Sequence, residues 1–172
     1  MSLIAYLIRH AEPEKGTGIP YDVPPGPPLS MRGREEAQRA AAFLADKGIQ
    51  RLFCSPLVRA RDTAEIIGHV LRLQPVLDER LAEHRSGETF EAVIARMRAF
   101  WEAHAMDGDG PLALVTHGSP IRALLTVLGD GRLDWSRYQF ADNNIVPTAG
   151  IWQVEQATNG WKLELVFVPS ER

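Results

Sequence analysis

One cysteine, Cys54, occurs among the 172 residues. An intramolecular disulfide is therefore excluded, and a cysteine-built metal centre has too few thiolates to form. Positive charge is not in excess either. The chain carries 19 Lys and Arg against 22 Asp and Glu, a formal net charge of -3, so neither nucleic acid nor an anionic membrane is expected as a partner. No two of the five histidines have the spacing that places metal ligands on one helix face. Long apolar runs are missing too. The opening stretch Leu3 to Ile8 is too short to cross a bilayer and leads into Arg9 and His10. It reads as a buried strand, with no targeting signal, and the cytoplasm is the expected compartment. Without internal repeats or a composition break, residues 1–172 are expected to form one domain. Its hydrophobic content of 45% suffices for an ordinary soluble core.

Proline is concentrated in one place. Pro20, Pro24, Pro25, Pro27 and Pro28 fall between Gly16 and Pro28, a density that excludes helix and central strand and predicts a loop. Because this loop leaves the end of the first strand, it is placed to wall a site.

Elsewhere, apolar runs alternate with helical patterns. Strands are expected at Ser2–Ile8, Leu52–Cys54, Val76–Leu77 and Pro111–Thr116, and helices at about Met31–Lys47, Pro56–Leu71, Phe90–His104 and Pro120–Leu128. Ala37, Ala40, Ala41 and Leu44 mark the buried side of the first helix, and Val93, Met97, Phe100 and Trp101 that of the third. A hairpin about Asn159-Gly160 closes the chain. The pattern predicts an α/β three-layer sandwich, with a mostly parallel central sheet covered by helices on both faces. Ligands of such sheets bind beyond the carboxyl ends of the strands.

Three strand-to-helix corners hold the unusual residues: Arg9-His10-Ala11-Glu12, Cys54-Ser55-Pro56 with Arg59 following, and Thr116-His117-Gly118-Ser119-Pro120. At the second and third corners Ser55 and Ser119 are expected to cap their helices, with proline at the first helical position. Neighbouring strands would bring two arginines and two histidines to one sheet edge. Guanidinium groups there suit phosphate, since each donates two parallel hydrogen bonds. Any one corner alone is a common structural feature; their joint placement points to a phosphate site.

These motifs resemble the histidine phosphatase superfamily, the phosphoglycerate mutase-like proteins. The similarity runs in order through Arg9-His10-Ala11-Glu12, Leu29-Ser30-Met31-Arg32-Gly33 with Glu36-Ala37-Gln38, Ser55-Pro56-Leu57-Val58-Arg59-Ala60-Arg61-Asp62-Thr63-Ala64, Leu81-Ala82-Glu83 with Gly87, and Val115-Thr116-His117-Gly118. The resemblance implies a phosphatase in which His10 is the nucleophile and becomes a phosphohistidine. It implies that Arg9, Arg59 and His117 hold the phosphoryl oxygens, with no metal or other cofactor required. Glu83 is the expected general acid, with Glu79, Glu88 and Glu12 as neighbouring alternatives. For attack, one imidazole nitrogen must be unprotonated, so the other is expected to donate to a backbone carbonyl.

Departures from the family pattern bear on the branch. Ala11 replaces a glycine, Pro13 stands where a hydroxyl residue is common, and the Trp-Asn pair of mutases is absent. Gly87-Glu88-Thr89, leading to Arg96, resembles the family's block before the third helix, and only His84, Arg85 and Ser86 lie between it and Glu83, so the lid insertion is expected to be reduced and the site open. That favours a phosphatase over a mutase, which must shield its phosphohistidine from water. Expected substrates are a phosphorylated small molecule or a phosphorylated protein side chain. A catalytically impaired phosphate-binding module is the alternative. His69, His84, His104 and the four tryptophans read as surface or packing residues, and Asn143 and Asn144 are assigned no role.

Overall fold

The computed structural model describes residues 2–105, 108 and 110–169. Six strands and four helices follow in the order β1 (Ile4–Arg9), α1 (Met31–Leu44), β2 (Arg51–Cys54), α2 (Val58–Leu71), β3 (Val76–Leu77), α3 (Phe90–His104), β4 (Leu112–Thr116), α4 (Gly118–Leu128), β5 (Ile151–Ala157) and β6 (Gly160–Phe167). The sheet order is β3-β2-β4-β1-β5-β6. Strands β1 to β4 pair in parallel, and the β5–β6 hairpin continues the sheet antiparallel from β1.

The two-residue period of a strand explains the three layers. Ala5 and Leu7 of β1, with Phe53, Leu112 and Leu114, face α3 and α4 and meet Met97, Phe100, Ile121 and Leu124. The alternate residues Tyr6 and Ile8, with Leu52, Cys54, Ala113 and Val115, face α1 and α2 and meet Ala37, Ala40, Ala41, Leu44, Ala60 and Ile67. Small alanines on α1 let that helix lie close to the sheet.

Element positions agree with the sequence to within a few residues, but the helix starts differ in kind. His117 itself occupies the N-cap of α4, so Pro120 is the third helical residue, and no side chain caps the end. Helix α2 starts at Val58 after an uncapped Leu57. The physical reason is that the Val58 N–H donates to the Pro25 carbonyl (2.9 Å), while the Ser55 hydroxyl accepts from Leu57 N–H (3.3 Å) and bonds His117. The proline-rich loop, not a serine cap, sets the entry of α2.

Gly33 shows why the start of α1 is restricted. Ser30 caps α1 by accepting from the Gly33 N–H, and Gly33 lies against the backbone of Glu12, where a Cβ would overlap the Glu12 carbonyl. Alanine has the higher helix propensity, by about 1 kcal/mol, yet here overpacking against backbone should win. Gly33→Ala is expected to destabilise the protein by about 1–3 kcal/mol, read as a lower urea midpoint with unchanged slope.

Candidate active site

Parallel pairing aligns Arg9 with Thr116, so His10 and His117 leave adjacent strands side by side. The His10 N–H donates to the Thr116 carbonyl (2.9 Å), and Ser55 N–H to the Val115 carbonyl (2.9 Å). The three corners therefore meet at one edge. The rings of His10 and His117 lie 5.0 Å apart between centroids, and both are fully buried, as is Arg59; Arg9 is buried as well.

The turn that carries His10 is fixed from both neighbouring helices. Ala11 N–H donates to Thr63 Oγ1 (3.0 Å), whose hydroxyl donates to the Arg59 carbonyl one helical turn back (2.7 Å). Glu12 N–H donates to the Glu36 carboxylate (3.0 Å), and the Ser30 hydroxyl donates to Glu12 Oε1 (2.9 Å). Thr63, Glu36, Ser30 and Gly33 thus serve one purpose, which is to hold residues 9–12 in place.

His10 Nδ1 donates to the Ala11 carbonyl (2.8 Å), which leaves Nε2 with its lone pair. Burial lowers the His10 pKa well below its ordinary 6.5, and the neighbouring His117, Arg59 and Arg9 disfavour a further positive charge there; burial lowers His117 as well. The imidazole is neutral. Arg9 donates through one terminal nitrogen to the Val146 carbonyl (3.0 Å). Arg59 donates to the Tyr21 carbonyl (2.8 Å) and to Glu83 Oε2 (3.3 Å). The Nε groups of both arginines are buried without an acceptor among the described residues, as expected of donors arranged for an oxyanion.

Glu83 completes the cluster. Its Oε2 lies 3.3 Å from His117 Nδ1 and 3.3 Å from the Arg59 guanidinium, and its Oε1 accepts from the His84 N–H (2.9 Å). Burial alone would raise the Glu83 carboxyl. The His117 ring, the His84 N–H and the Arg59 charge outweigh that and hold it down to about 2. The other carboxylates are committed elsewhere. Glu88 is paired with Arg96 (2.7 Å), Glu79 is exposed beside Arg85, and Glu12 bonds Ser30 and Arg32. Arg96 also donates to the carbonyls of Arg80, Ala82 and Glu83. It thereby fixes the backbone that presents Glu83, a positioning part that tertiary contacts alone reveal.

Ligand-capable atoms of His10, Glu83 and His117 lie within 4.8 Å of one another. A cation placed among them would face the Arg59 guanidinium, which touches both Glu83 and His117. The donor set is therefore suited to an anion.

The proline-rich loop does wall the site, and it supplies a residue the motifs do not mark. The Tyr21 hydroxyl is 3.2 Å from His10 Nε2, and its ring stacks 3.7 Å from the Arg59 guanidinium carbon. Asp22 accepts from the Ser86 N–H (2.7 Å), linking the loop to the short segment after Glu83. Hence the site is not open as expected: His10, Arg59 and His117 are fully buried, because residues 16–28 take the place of the missing insertion and set Tyr21 on His10 Nε2. Tyr21 is the one aromatic residue in that loop, and this was the available signal. Asn144, given no role above, packs on the Cα of Gly118, where any Cβ would overlap its side-chain oxygen. His69 is exposed, while His104 packs against Phe53 and Phe100. His84 bonds the Glu88 carbonyl (2.7 Å).

A neutral, buried imidazole facing two guanidinium groups at the carboxyl edge of a mostly parallel sheet defines a phosphoglycerate mutase-like α/β protein. The family model for the histidine phosphatase superfamily (branch 1) matches residues 5–87 and 82–169, and the chain belongs to that family. It is 40% identical over 81 residues to the 2,3-bisphosphoglycerate-dependent phosphoglycerate mutase of Thermoplasma acidophilum, covering 46% of this chain and 40% of that one. It is 31% identical over 109 residues to a probable phosphoglycerate mutase of Proteus mirabilis, covering 62% of this chain and 51% of that one. The matches thus span about half or less of those relatives. Among solved structures, a mycobacterial glucosyl-3-phosphoglycerate phosphatase complexed with VO3 superposes with a TM-score of 0.73 at 22% identity, covering 94% of this chain and 97% of that one. A phosphoglycerate mutase from Bacillus anthracis gives 0.74 at 18% identity, covering 96% and 92%. Phosphatases and mutases share this fold, so the fold does not choose between them. No helix among the described residues is long and apolar enough to cross a membrane.

Proposed function

We propose that the protein is a metal-independent phosphatase that hydrolyses phosphomonoesters through a phosphohistidine on His10, the whole chain acting as one domain. The observation that carries this reading is the lone pair on His10 Nε2, fixed by the Nδ1–H bond to the Ala11 carbonyl and set among buried guanidinium groups. In the first step Nε2 attacks phosphorus, a P–N bond forms, and the ester P–O bond breaks. The leaving alkoxide takes a proton by way of Glu83. In the second step water gives a proton to Glu83 and attacks phosphorus, the P–N bond breaks, and its electron pair returns to Nε2. Arg9, Arg59 and His117 offset the charge spread over the equatorial oxygens.

Two observations favour hydrolysis over isomerisation. Only residues 84–89 separate Glu83 from α3, and the cover over the fully buried His10 comes from a single proline-rich loop through Tyr21, whereas a mutase must keep water from its phosphoenzyme throughout the reorientation of its intermediate. The seating of Glu83 against His117 and Arg59 weighs against an impaired binding module. Substrates are phosphorylated small molecules or protein side chains.

The test is hydrolysis of 4-nitrophenyl phosphate in the presence of a chelator, with an alkaline quench to preserve acid-labile phosphohistidine. Equal amounts of phosphate and nitrophenol, plus a labelled protein band, are expected. Phosphate binding without turnover or labelled protein would instead support the impaired module.

Tyr21 makes a second expectation specific. Substrate must displace its hydroxyl from Nε2, and one such hydrogen bond contributes about 0.5–1.5 kcal/mol. Tyr21→Phe is therefore expected to lower KM about two- to tenfold in steady-state assays, with the stack on Arg59 retained.

A further inference from the structure

Beside the phosphate cradle lies a cavity of about 840 Å³ whose wall includes Arg9 and Tyr21, the residues that also border His10. Its position makes it the receptacle for the alcohol portion of a phosphomonoester, an assignment that rests on the function proposed above. A volume of this size is that of a small-molecule site, within the range of roughly 300–1,000 Å³.

The charges around it are unbalanced. Four carboxylates, Glu12, Glu14, Glu36 and Asp142, line the cavity against two cations besides Arg9, namely Lys15 and Arg32. Arg32 is shared between Glu12 (3.9 Å) and Glu36 (3.6 Å). Glu36 is buried and Glu12 partly so, hence water and salt screen the Glu36 charge, in particular, less than those at the exposed rim. The same wall is apolar in part. Ile19, Tyr21 and Val168, which expose 39%, 41% and 45% of their surface, all line it. Phe140 adds a fourth apolar side chain.

We propose that the alcohol portion of the substrate is a small, partly apolar group that is uncharged or cationic and bears no second phosphate or carboxylate. Arg9 and Arg59 take the phosphoryl group. Beyond them a second anion meets four carboxylates, with Arg32 already shared between two of these and Lys15 at the exposed rim, where water screens its charge, while a ring or alkyl body covers Ile19, Tyr21 and Phe140.

A matched series of non-hydrolysable phosphonates tests this by calorimetry on the whole chain: benzylphosphonate, its 4-aminomethyl derivative and its 4-carboxy derivative. The neutral and cationic compounds are expected to bind at least about tenfold more tightly than the carboxylate. Charge reversal at the rim, Glu14→Lys with Asp142→Lys, should narrow that ratio. Equal or tighter binding of the carboxylate, or no binding by any of the three, would overturn the proposal. So would a phosphotyrosine peptide that binds better than all of them, since it would place the occupant outside the cavity. Because binding is measured without turnover, failure to hydrolyse the corresponding phosphate esters would count against the phosphatase reading alone.

Discussion

Replacing His10 with alanine is expected to abolish turnover, by at least about 10⁴-fold in kcat/KM, and to remove the labelled phosphoenzyme. No other imidazole can take its place. His117 is the nearest, but its Nε2 bonds the Ser55 hydroxyl (2.8 Å) and its Nδ1 faces Glu83. The variant also has a signature independent of activity. Burial lowers the His10 pKa well below 6.5, so below that pH the unfolded chain binds a proton there that the folded chain does not. Wild-type stability should therefore fall as pH drops through 6.5 toward the folded-state value. His10→Ala lacks that linkage and should show a shallower decline in urea titrations at several pH values. A folded variant with full activity would sink the assignment of the nucleophile.

The parts of this site that were legible in the sequence are those fixed by strand ends. Arg9, His10 and His117 sit where apolar runs stop, and parallel pairing then brings them together almost without further choice. The bounds of α3 were equally legible, because its apolar stripe keeps helical spacing from Val93 to Trp101. Tyr21 was not, since its approach to Nε2 depends on the path of a proline-rich loop that carries no periodicity. The difference between the carboxylates is likewise tertiary. Glu88 lies five residues from Glu83, yet Arg96 of α3 pairs with Glu88 and leaves Glu83 to Arg59 and His117. The serine caps expected at Ser55 and Ser119 failed for a related reason. A hydroxyl at a sheet edge has competing partners, and for Ser55 the imidazole of His117 is one of them.

Glu83→Gln tests proton transfer at nearly constant side-chain size. Glutamine keeps one acceptor oxygen, enough for Arg59 and His117 or for the His84 N–H but not for both sets, and it cannot carry a proton between water and the leaving group; retained phosphate binding by the variant shows that the cradle persists. The expected loss in kcat is about 10²–10⁴-fold for alkyl phosphates, the size of a general acid–base contribution. Formation of the phosphoenzyme from 4-nitrophenyl phosphate should suffer less, because nitrophenolate leaves without a proton. The wild-type pH profile follows from the same carboxylate. Held down to about 2 by His117, the His84 N–H and Arg59 against the effect of burial, Glu83 is ionised in the resting enzyme. It is thus ready to act as a base on water but has no proton of its own for an alkoxide. The substrate monoanion can bring one, and that form is lost above the second phosphate pKa of about 6. With alkyl esters, kcat/KM should therefore decline as pH rises past about 6, and in Glu83→Gln that descending limb should flatten along with the rate. Full alkyl-ester turnover by a folded Glu83→Gln protein would exclude this carboxylate from proton transfer and direct attention to substrate-borne protons alone.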